Sequence, residues 1–134
     1  MQNFDKIFSE LRSIMLPYAH KMNCTTDTDD ELNVNTHNIQ KNKKPLWFGA
    51  VQIKKNYVSY HLMPVYINPK LLETISPALK KRMQGKSCFN FTSFDASLFK
   101  ELAELTEACF KDYEKQGYTE MYLTGRREIF QIVE

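Results

Sequence analysis

A chain of 134 residues with 43% hydrophobic and 13% aromatic side chains is long enough to bury about two-thirds of the surface its unfolded form exposes, which argues against disorder of the whole chain. A formal charge of +2, with 25% charged residues, is too even to name a polyanion as partner, because nucleic-acid domains concentrate far more positive charge. Cys24, Cys88 and Cys109 are widely spread and include no Cys-x-x-Cys pair, which excludes a disulfide framework and suits a reducing compartment.

The first residues, Met1-Gln-Asn-Phe-Asp-Lys6, carry a charge pair and no apolar h-region, unlike a secretory leader. No apolar run approaches the roughly 18 to 20 residues that span a bilayer. A cytoplasmic location without membrane contact is the expectation. From Phe4 to Tyr18 the residues Phe4, Ile7, Phe8, Leu11, Ile14, Met15 and Tyr18 recur at helical spacing, so an amphipathic helix is expected to end near Pro17. The stretch Asn23 to Glu31 is polar and rich in turn formers, and reads as a loop. Leu32 to His37 has β-branched residues in weak alternation and reads as an edge strand.

Leu46 to Ile53 and Tyr57 to Val65 are rich in Val, Ile, Tyr, Phe and Trp and are separated only by Lys54-Lys55-Asn56, the pattern of a hairpin. Asn56 is expected to take the positive φ of a tight turn. Alternation in the second arm places Val58, Tyr60 and Leu62 on the core face, with Tyr57, Ser59, His61 and Met63 opposite. Beyond it, Asn68-Pro69 and Ser76-Pro77 each look like a cap followed by proline in the first turn, so two short helices are expected. Gly85 follows Lys80, Lys81 and Arg82 as a left-handed helix stop. Ser87 to Phe91 is a short alternating strand. Asp95 or Ser97 caps a helix with the apolar stripe Leu98, Leu102, Leu105, Cys109 and Tyr113, ended by Gly117. Residues 118–134 fit a strand, a short helix or a packed extension equally. No repeat or linker divides residues 1–134, so a single α+β domain is expected, its antiparallel sheet carrying helices on one face.

The runs Lys44-Pro-Leu-Trp-Phe-Gly-Ala-Val-Gln-Ile-Lys-Lys-Asn-Tyr-Val-Ser-Tyr-His-Leu-Met-Pro64 and Gly85-Lys-Ser-Cys-Phe-Asn-Phe91, followed by an acid-capped helix, resemble the YdhG-like family of unknown function. The resemblance covers about half the chain. It implies a mostly bacterial, small α+β protein with a fold likened to frataxin, and some relatives are described as iron-chaperone-like. No accepted catalytic residues come with it. The polar segment from Asp27 to Lys44 and the C-terminal tail depart from the family pattern.

Among residues that could carry chemistry, His61 has Tyr57 and Ser59 on its own face and could bind an anion or pass a proton; a purely structural strand histidine is the competing role. His20 and His37 stand apart, without zinc-ligand spacing. Asp27, Asp29, Asp30 and Glu31 crowd hard oxygen ligands into five positions, yet lack the glycine and terminal glutamate of an EF-hand. They read as a solvated loop or, by the frataxin comparison, as a weak iron site. Lys41, Lys43, Lys44, Lys54 and Lys55, with Trp47 and Tyr57 between them, suit a phosphate-and-stacking surface less well than charged turns that block edge pairing. Cys88 has Lys86 two positions away as a possible activating cation, although a small buried hydrophobe is its commoner fate. Gly85-Lys86-Ser87 lacks the rest of a phosphate loop, and there is no nucleophile elbow or dinucleotide fingerprint, so no cofactor is expected. The resulting expectation is a non-catalytic module that binds a small molecule or a protein through Trp47, Tyr57, Ser59, His61 and Lys86. A frataxin-like iron protein is the alternative. An exposed face or edge of the sheet equally suits a homodimer.

Overall fold

The computed structural model describes residues 4–119. Helix α1 (Phe4–Ala19) leads into four strands, β1 (Asn23–Asp27), β2 (Glu31–Ile39), β3 (Pro45–Ile53) and β4 (Val58–Leu62). A short helix α2 (Met63–Ile67), a 3-10 turn (Pro69–Leu72) and α3 (Pro77–Lys80) follow, then strands β5 (Met83–Gln84) and β6 (Cys88–Phe91) and the long helix α4 (Ala96–Lys115). The strands form one antiparallel sheet in the order β1-β2-β3-β4-β6-β5. No helix among the described residues is long and apolar enough to cross a membrane.

The expected core face is the observed one. Val58, Tyr60 and Leu62 are fully buried, and the ladder sets them beside Ile53, Val51 and Gly49 on one side, while Phe91 and Phe89 face Val58 and Tyr60 on the other. Leu32 and Val34 extend that apolar face across β2. Helices α1 and α4 cover it with Ile7, Phe8, Leu11 and Met15 from α1, and Phe99, Leu102, Leu105, Cys109, Phe110 and Tyr113 from α4. Phe48 joins this layer through a bulge: Val34 pairs with Gly49 while Asn35 pairs with Trp47, so Trp47 is sent to the opposite face as Phe48 turns toward Phe110 and Tyr113. Polar connections run through the core: Thr106 donates to the Leu102 carbonyl at 2.7 Å and Tyr60 donates to Thr106 Oγ1 at 2.7 Å, while the Tyr113 hydroxyl donates to the Trp47 carbonyl at 2.8 Å. Burial drives the Tyr60 phenol far above its usual range.

Gly49 allows α1 to lie close. A Cβ there would stand 2.3 Å from the His61 carbonyl oxygen and 2.8 Å from Met15 Cε, so only a residue without one fits between the helix and the β3–β4 ladder.

Several expectations change. The Asn23–Glu31 stretch is not all loop: β1 pairs with β2 along Asn23–Asp27. Its side chains are almost all exposed, so no apolar period marked a strand whose order comes from backbone pairing. Leu32–His37 is consequently an interior strand rather than an edge. The second hairpin arm stops at Leu62, because Pro64 cannot donate to a ladder and instead opens α2. Asn56 is not left-handed; among the described non-glycine residues only Lys43 is, with φ 70°, since the four-residue turn after β3 is closed by Lys54 N–H donating to the Tyr57 carbonyl at 2.8 Å. Asn68 does not cap with its side chain, which donates instead to Asp112 at 3.3 Å. Ser76 and Asp95 do cap, accepting from the N–H groups of Leu79 and Leu98. Gly85 is left-handed as expected, at φ +79°, but it turns β5 into β6 rather than ending a helix. Gly117, at φ +82°, stands just beyond α4. The tail expectation for residues 118–134 falls almost wholly outside the described residues.

Candidate binding face of the sheet

Period-two alternation that buries Val58, Tyr60 and Leu62 must turn their neighbours the other way. Ser59 and His61 on β4 therefore share the face away from the helices with Ala50 and Gln52 on β3, Asn33 and Asn35 on β2, and Cys88 and Asn90 on β6. The bulge adds Trp47. Among the described residues no helix packs over this face. Its side chains are mostly half-buried by one another, with Ser59 and Ala50 sunk between larger neighbours.

Three of the five expected site residues meet here. The Trp47 and His61 rings lie 5.5 Å apart, tilted by 41°, and His61 Nε2 is 3.1 Å from Ser59 Oγ. The Trp47 indole N–H donates to Asn33 Oδ1 at 2.9 Å, and Asn33 in turn donates to Thr25 at 2.7 Å, which fixes the indole from two strands away. Cys88 is in register with His61 across the β4–β6 ladder; its Sγ lies 3.9 Å from Nε2 and donates to Asn90 Oδ1 at 3.3 Å. With Ser59 donating to the Gln52 carbonyl at 3.4 Å, the tautomer that satisfies this chain has Nε2–H donating to Ser59. His61 Nδ1 then keeps an acceptor lone pair without a protein partner among the described residues.

The other two site residues do not join. Tyr57 lies in the β3–β4 turn, and no hydrogen bond or ring contact ties its side chain to His61. Lys86 sits in the β5–β6 turn with its Nζ 6.0 Å from the Tyr66 ring, toward α2. Lys86 is thus directed toward Tyr66, and the cation that acts on the titration of Cys88 and His61, second to burial, is Lys54. Asn33 and Asn90 are the members that the sequence reading missed, and Cys88, weighed there only beside Lys86, joins His61 instead; each has the strand parity that points to this face once the register is known.

Burial pushes the His61 imidazole below its ordinary range, and Lys54 pushes the same way. Burial raises the Cys88 thiol, with Lys54 opposing. Both groups are therefore held neutral near pH 7, a thiol beside an imidazole rather than a thiolate–imidazolium pair.

The acidic candidates do not converge. Asp27 accepts from Arg12 Nε at 3.0 Å and Nη2 at 2.7 Å, which holds its carboxyl below the usual range. Asp30 accepts from Thr28 at 2.9 Å in the β1–β2 turn, and Glu31 accepts from Gln52 at 3.0 Å on the sheet face. Among the described residues no three His, Cys, Asp or Glu side chains are grouped to hold a metal ion. Lys41, Lys43 and Lys44 are exposed in the β2–β3 connection and Lys54 and Lys55 at the opposite end of β3, so they form two turns rather than one surface.

The fold and site define an α+β protein with one helix-covered sheet face and one polar, aromatic face. No family model, curated protein or solved structure matches the chain.

Proposed function

We propose that this chain is a non-catalytic binding module whose recognition surface is the helix-free sheet face around Trp47, Ser59 and His61. The observation that carries the reading is the convergence of an anchored indole, a neutral imidazole with an unused acceptor, and amide and hydroxyl groups on adjacent strands. Such a surface recognises by stacking and hydrogen bonding rather than by charge. The occupant is a small molecule or a protein surface that offers a flat apolar area to Trp47 and a donor to His61 Nδ1. Binding without catalysis is supported by the neutral Cys88–His61 pair, whose 3.9 Å separation and raised thiol leave no activated nucleophile. Kinship with the YdhG-like family belongs to the same proposal, and its quoted residues fall on β3, β4 and the β5–β6 hairpin.

Trp47 is the only tryptophan, so a chain labelled with 5-fluorotryptophan gives one fluorine resonance that reports on this face alone. That line should shift or broaden with either the small-molecule or the macromolecular fraction of a cell extract, and not in the His61→Ala variant. A line unmoved by both fractions contradicts the proposal.

A further inference from the structure

The segment from Val65 to Lys86 contains Lys70, Lys80, Lys81, Arg82 and Lys86 against one carboxylate, Glu73, a local charge of +4 in a chain whose formal total is +2. Folding gathers this segment around a groove. Val65, Tyr66, Pro69, Leu72 and Met83 line a cavity of about 580 Å³, with Lys80 and Lys86 at its rim. Both lysines are exposed, and among the described residues none of the five cations pairs with a carboxylate. Tyr66 and Ile67 are 52% and 44% exposed, large apolar side chains left beside the groove. A second cavity of about 640 Å³ is bordered by Lys81 and Arg82 together with Ser93 and Asp95, the last of these engaged as the cap of α4, so cations extend past the groove itself.

We propose that this groove is a docking site for an acidic protein segment that inserts a large apolar side chain between flanking carboxylates. The apolar floor contributes burial. The unpaired lysines contribute steering and register, since unlike charges across an interface act mainly on encounter and specificity. An acidic segment also fits the choice of lysine at the rim: its long apolar stem can line the groove while the ammonium meets the carboxylate at the edge. The site shares no residue with the Trp47–His61 face, so either proposal can fail without the other.

The test is fluorescence anisotropy of the full chain with three short labelled peptides: one alternating Glu with Leu and Phe, one with the same apolar residues but Lys for Glu, and one with the same Glu but Ala for Leu and Phe. The first should bind saturably and weaken with added salt, because exposed charges are screened over about 10 Å at 0.1 M ionic strength. Lys80→Glu/Lys86→Glu, at two exposed positions that leave the core alone, should weaken it by about tenfold or more, and Tyr66→Ala should weaken it at unchanged salt dependence. Equal binding of all three peptides, equal binding to the double variant, or no saturable binding of the first peptide overturns the proposal. Self-association of the wild-type chain that Lys80→Glu/Lys86→Glu abolishes also overturns it, by making the occupant another copy's acidic β1–β2 turn.

Discussion

Replacing Gly49 by alanine perturbs the contact that sets the spacing of α1, β3 and β4 behind the candidate face. The new methyl would lie 2.8 Å from Met15 Cε and 2.3 Å from the His61 carbonyl oxygen. The methionine tip can swing aside. The carbonyl cannot, because His61 is held in register on both sides, by Ala50 of β3 and Cys88 of β6. An ordinary non-bonded contact of about 3.5 Å requires the strand or the methyl to retreat by roughly 1 Å, and overpacking of a tight core costs about 1–3 kcal/mol. For a domain of this size that corresponds to a melting temperature lower by roughly 5–15 °C. Urea unfolding followed by both far-UV circular dichroism and Trp47 emission gives the change directly. A Gly49→Ala variant within about 0.5 kcal/mol of wild type, the range of an inconsequential surface change, would refute the close approach of α1 to the ladder.

Three further outcomes follow from the same geometry. Tyr60→Phe should cost about 1–2 kcal/mol by leaving buried Thr106 Oγ1 without its donor, whereas Tyr60→Phe with Thr106→Val should cost less than the sum of the single changes; additive urea-melt values would contradict the bond. Because His61 has a folded-state pKa below the 6.5 of an ordinary imidazole, the unfolded chain takes up the proton first as pH falls. Its contribution to stability is full above pH 6.5, declines below that value down to the folded-state pKa, and is flat beneath it. His61→Asn should remove that slope between pH 7 and 5, and an identical slope in the variant would assign it elsewhere. Iodoacetamide should modify exposed Cys24 first, half-buried Cys88 more slowly and buried Cys109 only on unfolding; peptide mapping that finds Cys88 the fastest would overturn the neutral-thiol reading.

What the sequence revealed depended on whether a residue's structural role left a side-chain signature. The β3–β4 hairpin, the buried Val58, Tyr60 and Leu62, and α4 with its Asp95 cap announced themselves through apolar period and capping chemistry, and the helix-covered sheet follows from them. Strand β1 left no such trace, because an exposed edge strand is held by backbone bonds to β2 and needs no apolar side chain. The site was half legible for a related reason. Alternation along one strand joins Ser59 to His61, but cross-strand register, which brings Cys88 and Asn90 to His61, is not written in either strand alone. The bulge that turns Trp47 onto the same face and Phe48 into the core likewise depends on pairing with β2. Lys86 illustrates the converse: its closeness to Cys88 in sequence suggested a shared face, whereas the β5–β6 turn carries it toward Tyr66.

The central claim, that the face around Trp47, Ser59 and His61 holds a partner, is tested most directly by native mass spectrometry of the chain purified from cell extract without added metal, beside a Trp47→Ala/His61→Ala variant that leaves the helix-covered core untouched. Wild type should carry a bound small molecule or protein that the variant lacks. Wild type and variant that both run as the bare chain, or that retain the same bound mass, contradict it.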